Sequence, residues 1–212
     1  MGTSERQSLA DLLAVEAVRQ CIVRERWARD IGDWDEMARS YYPDTRMAVG
    51  WTTCSGAEFI EHTRKLAATG TRSHGLHQLG PIQVQLNGNR AVADLPAQIA
   101  MPVMIDNTEM TILVWERMCF RVEKRDDDWR IVEFRAVYLR DLLIPDHVGD
   151  VVTLDQELLD SCRPSYRYTQ YWSNKAGWGN HPDRPGLDRP DLIRDVYSAN
   201  ESWLNGVLST VG

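Results

Sequence analysis

Hydrophobic periodicity in the N-terminal part of the chain predicts two helices separated by a glycine. At about 100° per residue, one side of the first helix carries the apolar residues Leu12, Val15, Ile22, Val23 and Trp27. Asp30 falls inside this apolar arc, and Arg19 and Arg26 lie near it. The pattern breaks at Gly32, and the second helix is expected to end at Pro43. A face that includes these charges is typical of a helix covering a pocket rather than a dry core.

A short strand and a third helix are expected next. Residues Met47 to Trp51 read as the strand, and the helix should run from Ala57 to Ala68 with Ser55 as its cap. Gly70 then ends the helical pattern.

The middle of the chain alternates with a period of two residues and predicts a sheet. Four long strands are expected, at His77 to Leu86, Arg90 to Val103, Glu109 to Lys124 and Trp129 to Arg140. Their connections are as short as hairpin loops, and they are rich in Asn, Gly and Asp. The sheet should therefore be antiparallel.

Both faces of this sheet are substantially apolar. On the strand from Glu109, one face is apolar apart from Glu116, and the other still carries Leu113, Trp115 and Cys119. We therefore expect helices on one face and a second subunit on the other, in a homodimer or homotrimer.

The composition changes after Pro145. Two helices are expected there, at Thr153 to Cys162 and Leu192 to Leu208, around a segment rich in aromatic residues, Pro and Gly. We divide the chain into a domain at residues 1–144 and an arm at residues 145–212. The arm should lie on the domain or on a neighbouring subunit.

Charge and composition limit the possible partners. With 24 basic and 31 acidic residues the formal net charge is −7, which argues against nucleic-acid binding. No apolar stretch is long enough for a membrane span and the N-terminus has no signal core, so a cytoplasmic location is the default expectation. The four cysteines form no CxxC pair and are expected to be free thiols.

An ordered set of short motifs carries a resemblance. The chain has GDWD at residues 32–35, YxPD at 41–44, HxLG at 77–80 and WRIVEFRAVY at 129–138, each between the expected elements. Over about residues 8–142 this order resembles the SnoaL-like branch of the nuclear transport factor 2-like superfamily. The resemblance implies an α+β fold, in which a curved antiparallel sheet forms a cone closed by N-terminal helices around an apolar pocket. The superfamily contains both enzymes and non-catalytic binders.

The same resemblance implies a catalytic pair. Members similar to scytalone dehydratase and to hexachlorocyclohexane dehydrochlorinase use an Asp on the first helix and a His at the start of the strand after the third helix. Asp30 and His77 occupy those positions here. A neutral imidazole whose other nitrogen is held by a carboxylate can remove a proton from carbon. The implied activity is that of a cofactor-independent lyase, dehydratase or isomerase acting on a small, largely apolar and cyclic molecule.

A structural interpretation of the pair stays open. Asp30 could cap the helix that begins near Asp33, and His77 could be a hydrogen-bonded histidine at a strand end. The protein would then be a non-catalytic binding or assembly module of the same fold. Glu25 and Met47 replace a Lys and a Trp of the dehydrochlorinase, which argues against the same substrate.

Four further residues are candidates for binding the substrate. They are Tyr42, Trp51, Trp115 and Arg135, although each aromatic residue could equally belong to the core, and Arg135 could instead pair with Glu133 or Glu116. A metal pair at His74 and His77 is disfavoured, because residues three apart on a strand point to opposite faces. Since no phosphate-binding loop or dinucleotide fingerprint is present, we expect no cofactor.

Overall fold

The computed structural model describes residues 8–68, 75–177 and 181–206. Within these ranges the helices are α1 Leu9–Ile31, α2 Trp34–Arg39, α3 Gly56–Ala68, α4 Gln156–Ser161, α5 Arg167–Lys175 and α6 Pro190–Leu204, with a 3-10 turn at Pro164–Tyr166. The strands are β1 Tyr41–Val49, β2 Thr52–Ser55, β3 Leu76–Leu79, β4 Gln83–Asn87, β5 Arg90–Ile105, β6 Thr108–Arg125 and β7 Asp128–Pro145.

These strands form one curved sheet in the order β2-β1-β7-β6-β5-β3, and β4 also pairs with β5. All pairs are antiparallel except β1 with β7, which is parallel. The hairpins after β5 and β6 turn at residues 106–107 and 126–127, which all have the positive φ of a tight two-residue turn. The expected α+β fold is confirmed.

Several boundaries differ from the sequence expectation. The short strand expected from Met47 to Trp51 is β1, which begins at Tyr41 and ends at Val49. The strand expected from His77 to Leu86 is two strands, β3 and β4, because Pro81 lacks the N–H that a continuous ladder needs. Gly80 donates its N–H to the Pro96 carbonyl at 2.8 Å at this break. The second helix ends at Arg39 rather than Pro43, and the chain enters β1 at Tyr41.

Local signals define the ends of α1. Ser8 and Asp11 form a capping box at its start, and Gly32, with a φ of 77°, ends it in the left-handed conformation. The expected break at Gly32 is therefore confirmed. Asp33 then caps α2 by accepting a hydrogen bond from the Glu36 N–H at 3.0 Å.

The buried face of α1 is rotated from the expected one. Leu12, Val23 and Trp27 are 50%, 42% and 57% exposed, so placing them on the buried face was wrong. The buried face instead follows Val18 and Ile22 and continues into charged residues of the next turns. Periodicity weighted by hydrophobicity could not find this face, because charged side chains that pair with each other are buried along it.

The outer face of the sheet is partly covered by the chain's own last helix. Val196 on α6 packs against Cys119 and Val137. Arg121 donates to Asn200 at 2.8 Å, which ties the same helix to β6. The helix thus occupies part of the surface for which a second subunit was expected, and the homodimer or homotrimer stays a prediction.

The segment after β7 folds back onto the sheet of the same chain. Tyr138 on β7 donates its N–H to the Pro185 carbonyl at 2.9 Å and accepts from the Leu187 N–H at 3.1 Å. Asp141 accepts hydrogen bonds from the N–H and hydroxyl of Thr169 at 2.7 and 2.9 Å, which holds the first turn of α5. These contacts place α5 and residues 181–189 over one end of the sheet.

Close packing at Gly186 gives a test of this docking. A Cβ at Gly186 would lie 2.7 Å from Ser165 Cβ and 2.9 Å from Asp188 Oδ1, so Gly186→Ala is expected to destabilise the protein by about 1–3 kcal/mol. Urea denaturation measures the change. Gly75→Ala is the control, since its Cβ would lie 3.4 Å from its nearest neighbour, Ile99 Cγ2. Equal stability of the two variants would contradict the close packing.

Candidate active site

A small cavity lies between the sheet, α1, α3 and the first turn of α5. It encloses about 50 Å³. Its apolar wall includes Val49, Trp51, Phe59, Ile99, Met101 and Phe134, and its polar groups are Arg26, Arg29, His77, Glu116, Tyr138 and Thr169. Since one water needs about 10–15 Å³ of such space, the cavity has room for a few waters or part of a small molecule.

Asp30 and His77 meet at the edge of this cavity. His77 lies at the second position of β3, where it pairs with Ile99, and Asp30 lies in the last turn of α1. The Nδ1 atom of His77 is 2.5 Å from Asp30 Oδ1, and the His77 backbone N–H donates to Asp30 Oδ2 at 2.8 Å. Both carboxylate oxygens therefore hold the same residue. Capping of α2 falls to Asp33, so Asp30 is not needed for that role.

Arg29 determines which imidazole nitrogen carries the proton. Its Nη1 is 2.8 Å from His77 Nε2, and a guanidinium can only donate, so Nε2 accepts and Nδ1 carries the proton shared with Asp30. Burial, with the nearby cations Arg29 and Arg26, lowers the pKa of His77 to about 3, although the Asp30 hydrogen bond opposes this shift. Burial acts to raise the pKa of Asp30, but the hydrogen bonds from His77 outweigh it and hold that pKa below its ordinary value. The pair is thus a neutral imidazole beside a carboxylate.

Arg29 remains a cation inside this site. Burial, followed by repulsion from Arg26, lowers its pKa to about 10, which still leaves it charged at neutral pH. Its guanidinium lies 5.5 Å from the centre of the Phe59 ring. The Nε atom is buried and has no hydrogen-bond partner among the described residues. Arg29 therefore offers the cavity a donor that the protein leaves unused.

A buried ion pair fixes the second cation of the cavity. Arg26 donates through Nε and Nη2 to the Glu25 carboxylate, and the Tyr41 hydroxyl donates to the same carboxylate. The side chains of Glu25 and Arg26 are 0% and 3% exposed. Arg26 also lies 5.1 Å over the Phe134 ring, so its position is set from several sides.

Glu116 is the most unusual group in the cavity wall. It lies on β6 opposite Ala97 and Tyr138 and is 3% exposed. Across the described ranges its carboxyl group makes no hydrogen bond or ion pair. Burial raises its pKa to about 7, although Arg26 and Arg29 both act to lower it. A carboxyl group with this pKa is partly protonated at neutral pH.

Trp51 is the one proposed substrate-binding residue that lines the cavity, where it stacks on Phe59 with ring centres 5.5 Å apart. Tyr42 donates to the Asp128 carbonyl at 2.6 Å, away from the cavity. Trp115 lies under Arg140 and Arg135 pairs with Glu133 at 2.8 Å, also away from it.

Strand alternation explains where these three side chains point. Tyr42, Trp115 and Arg135 each follow or precede a residue that faces inward, and successive strand residues face opposite sides. Glu116 and Phe134 take the inward positions of β6 and β7. We therefore leave the three outward residues out of the site.

Comparison with known proteins identifies the family. A model described as "SnoaL-like domain" matches residues 10–135, which is more than half of the chain. The chain belongs to the SnoaL-like domain family. A PEP2-like protein of Fusarium vanettenii is 27% identical over 219 residues, which cover 95% of this chain and 91% of the relative. That coverage includes most of the segment after the family match.

Two solved structures share the fold of this SnoaL-like protein. The hexachlorocyclohexane dehydrochlorinase LinA-type3 from Novosphingobium barchaimii LL02 has a TM-score of 0.56 at 16% identity, over 70% of this chain and all of its own. A putative scytalone dehydratase from Novosphingobium aromaticivorans DSM 12444 has a TM-score of 0.52 at 12% identity, over 67% and 97% of the two chains. The resemblance read from the motifs is thus confirmed for family and fold.

Other expectations for the SnoaL-like chain concern metals, thiols and membranes. His74 lies outside the described residues. The described residues contain no cluster of three or more potential metal ligands, and their cysteines are free. Within the same ranges, no helix is long and apolar enough to cross a membrane.

Sequence reasoning did not assign Arg26, Arg29, Glu116 or Thr169 to the site. Arg26 was noticed near the apolar arc and Glu116 as a break in the alternation of β6, but neither was assigned to the site. Arg29 and Thr169 gave no signal, since one lies beside the apparent helix face and the other comes from the arm, distant in sequence. The two arginines could be predicted only by allowing charged residues on the buried face of the helix.

His77 and Glu116 are both buried in the cavity wall, and they make the stability of the fold depend on pH in opposite directions between about pH 4.5 and 6.5. The pKa of His77 falls from 6.5 to about 3 on folding, so its contribution to stability is lost as the pH falls. The pKa of Glu116 rises from 4.5 to about 7, so its contribution is lost as the pH rises.

We expect the stability of His77→Gln to decline with rising pH in this window, relative to the wild type, and that of Glu116→Gln to decline with falling pH. Each slope is up to about 1.4 kcal/mol per pH unit, and urea denaturation at a series of pH values measures it. Parallel curves for all three proteins would contradict both pKa shifts.

Proposed function

We propose that this SnoaL-like protein is a cofactor-independent lyase or isomerase that removes a proton from a carbon atom of a small, largely apolar, cyclic molecule. The observation that carries the proposal is the arrangement of His77. Its imidazole is neutral and buried, Nδ1 donates to Asp30, and Nε2 is directed at the cavity side, where Arg29 lies. A general base needs this protonation state and orientation.

The reaction begins when a substrate oxygen takes the place of Nε2 as acceptor for Arg29. Nε2 is then free to receive a proton from the neighbouring carbon, and Asp30 stabilises the imidazolium that forms. Negative charge that develops on the substrate oxygen faces the cations Arg29 and Arg26. Fixed cations in a site of low polarity stabilise such charge more strongly than water does.

The walls of the cavity support an apolar substrate. Trp51, Phe59, Met101 and Phe134 belong to the apolar lining, to which Thr169 on α5 adds a polar group. The side chain of His77 is 2% exposed, and this burial shields the base from bulk solvent. Two proteins of the same fold are named as a dehydrochlorinase and a putative scytalone dehydratase, which fits elimination chemistry.

A binding module is the second candidate. One observation favours it: Arg29 already occupies the lone pair of Nε2, so the base is blocked until another acceptor engages Arg29. In this case the cavity would hold a ligand without changing it. The pair Asp30 and His77 would then only shape the wall.

A direct assay separates the two candidates. The wild-type protein is incubated with cyclic and open-chain β-hydroxy ketones and their β-chloro counterparts, and formation of the conjugated enone is followed by ultraviolet absorbance. Enone formation above the uncatalysed rate supports the lyase. Binding of panel members by calorimetry without any product would support the binding module instead.

A further inference from the structure

We propose that Glu116 is the general acid of this site and that the group eliminated is a hydroxyl, which departs as water. This inference rests on the proposed function and narrows it, because it selects an alcohol as the substrate and dehydration as the reaction. The proposed acid, Glu116, lies on β6, whereas the base His77 lies on β3 and Asp30 lies on α1.

The surroundings of Glu116 leave its carboxyl group available to a ligand. Arg26 is engaged by Glu25 and Tyr41, and Arg29 by His77, so neither cation of the cavity pairs with Glu116. A buried carboxyl group without a partner costs free energy relative to one that is hydrogen-bonded. A hydroxyl group of a bound molecule would supply the missing hydrogen bond.

The strand register places the acid across the cavity from the base. His77 pairs with Ile99, Ile99 pairs with Val114, and Glu116 is the next residue of β6 on the same face as Val114. Adjacent strands are about 4.8 Å apart, so the backbones of β3 and β6, which flank β5, are separated by about 10 Å. A small molecule between them can meet His77 on one carbon and Glu116 on the next.

The charge state of Glu116 suits proton donation. Its pKa is raised to about 7 by burial. The charged and titratable groups that face it are Arg26 and Arg29 from α1, His77 from β3 and Tyr138 from β7, and the two arginines act against the shift. A fraction of the carboxyl groups is therefore protonated at neutral pH, as a general acid requires.

The reaction balances without any further reagent. The C–H bond breaks and its proton passes to His77 Nε2, while the electron pair forms a C=C bond. The C–O bond on the neighbouring carbon breaks, and the oxygen takes the proton of Glu116 and leaves as water. The imidazolium then returns its proton to the Glu116 carboxylate through that water. A chloride leaves as an anion and needs no proton. Loss of the acid should therefore slow the elimination of a hydroxyl group much more than that of a chloride.

A matched pair of substrates tests the inference. Both 3-hydroxycyclohexanone and 3-chlorocyclohexanone give cyclohex-2-enone, so they differ only in the group that leaves. For Glu116→Gln we expect the ratio of kcat/KM for the alcohol to that for the chloride to fall by about 100-fold or more. The control is Glu123→Gln on the same strand, whose carboxylate pairs with Arg125 at 2.7 Å outside the cavity and whose ratio should not change.

The outcomes separate this inference from the proposed function. An unchanged ratio in Glu116→Gln, or a wild-type protein that acts on the chloride alone, overturns the acid and leaves the lyase in place. A wild-type protein that acts on neither compound overturns both.

An infrared spectrum of the wild-type protein at about pH 6 supplies a readout that does not depend on turnover. It should show a protonated carboxylic acid band that Glu116→Gln lacks. Absence of this band from the wild type overturns the inference.

Discussion

His77→Gln is expected to lower kcat/KM for enone formation by about 10³-fold or more, because the side chain keeps its approximate size but can no longer accept a proton. The side chain of His77 is 2% exposed and lines the cavity, so no solvent base can take its place readily. Steady-state rates with the best β-hydroxy ketone of the panel measure the loss.

Two companion variants make this prediction specific. Asp30→Asn presents an amide that can donate to Nδ1 and so favours the wrong tautomer, with an expected loss of about 10³- to 10⁴-fold. His147→Gln is the matched control, since His147 also pairs with a carboxylate, Glu109 at 3.0 Å, but on the surface. It should retain wild-type rates. If His77→Gln kept the rate of His147→Gln, a base at His77 would be ruled out.

Glu25→Gln is expected to destabilise the fold by about 3–5 kcal/mol, the usual cost of leaving a buried charge without its partner. Arg26 donates two hydrogen bonds to the Glu25 carboxylate, and Tyr41 donates a third to the same group. A neutral amide cannot compensate the buried guanidinium. Urea denaturation monitored by circular dichroism gives the change in unfolding free energy.

Two further variants show whether the loss of stability comes from the buried charge or from the loss of any carboxylate on α1. Glu16→Gln removes an exposed carboxylate of α1 and should change stability by no more than about 0.5 kcal/mol. The double variant Glu25→Leu with Arg26→Met should be less destabilised than Glu25→Leu alone, because it removes both charges. Equal stability of Glu25→Gln and Glu16→Gln would show that the ion pair contributes nothing.

Much of the fold could be predicted because its signals are local. Alternation defined β5, β6 and most of β7, and the Asp-Asn pair at residues 106–107 marked a hairpin that the positive φ values bear out. The misplaced boundaries arose where one residue alters backbone hydrogen bonding, as Pro81 does between β3 and β4. The position of the arm depends on distant pairs such as Asp141 with Thr169, which no local pattern encodes.

The candidate site could be predicted only in part. Asp30 and His77 were found because the motif order indicated their neighbourhood, and the structure brings them together. Trp115 and Arg135 lie outside the cavity, because a shift of one residue on a strand reverses the face. Glu116 interrupts an apolar pattern in the sequence. That its carboxyl group has no partner can be seen only in the structure, where its neighbours on α1, β5 and β7 are in place.

The most direct test of the central claim is the ionisation of His77, followed by NMR of protein labelled with ¹⁵N at histidine, in the wild type and in Asp30→Asn. In the wild type we expect a neutral imidazole with its proton on Nδ1 that stays neutral far below the ordinary histidine pKa of about 6.5. In Asp30→Asn an amide N–H facing Nδ1 competes with the Arg29 donor at Nε2, so the fraction of His77 with its proton on Nε2 should rise. A His77 that titrates near its ordinary pKa, with the same tautomer in both proteins, would contradict the claim that Asp30 orients it as a base.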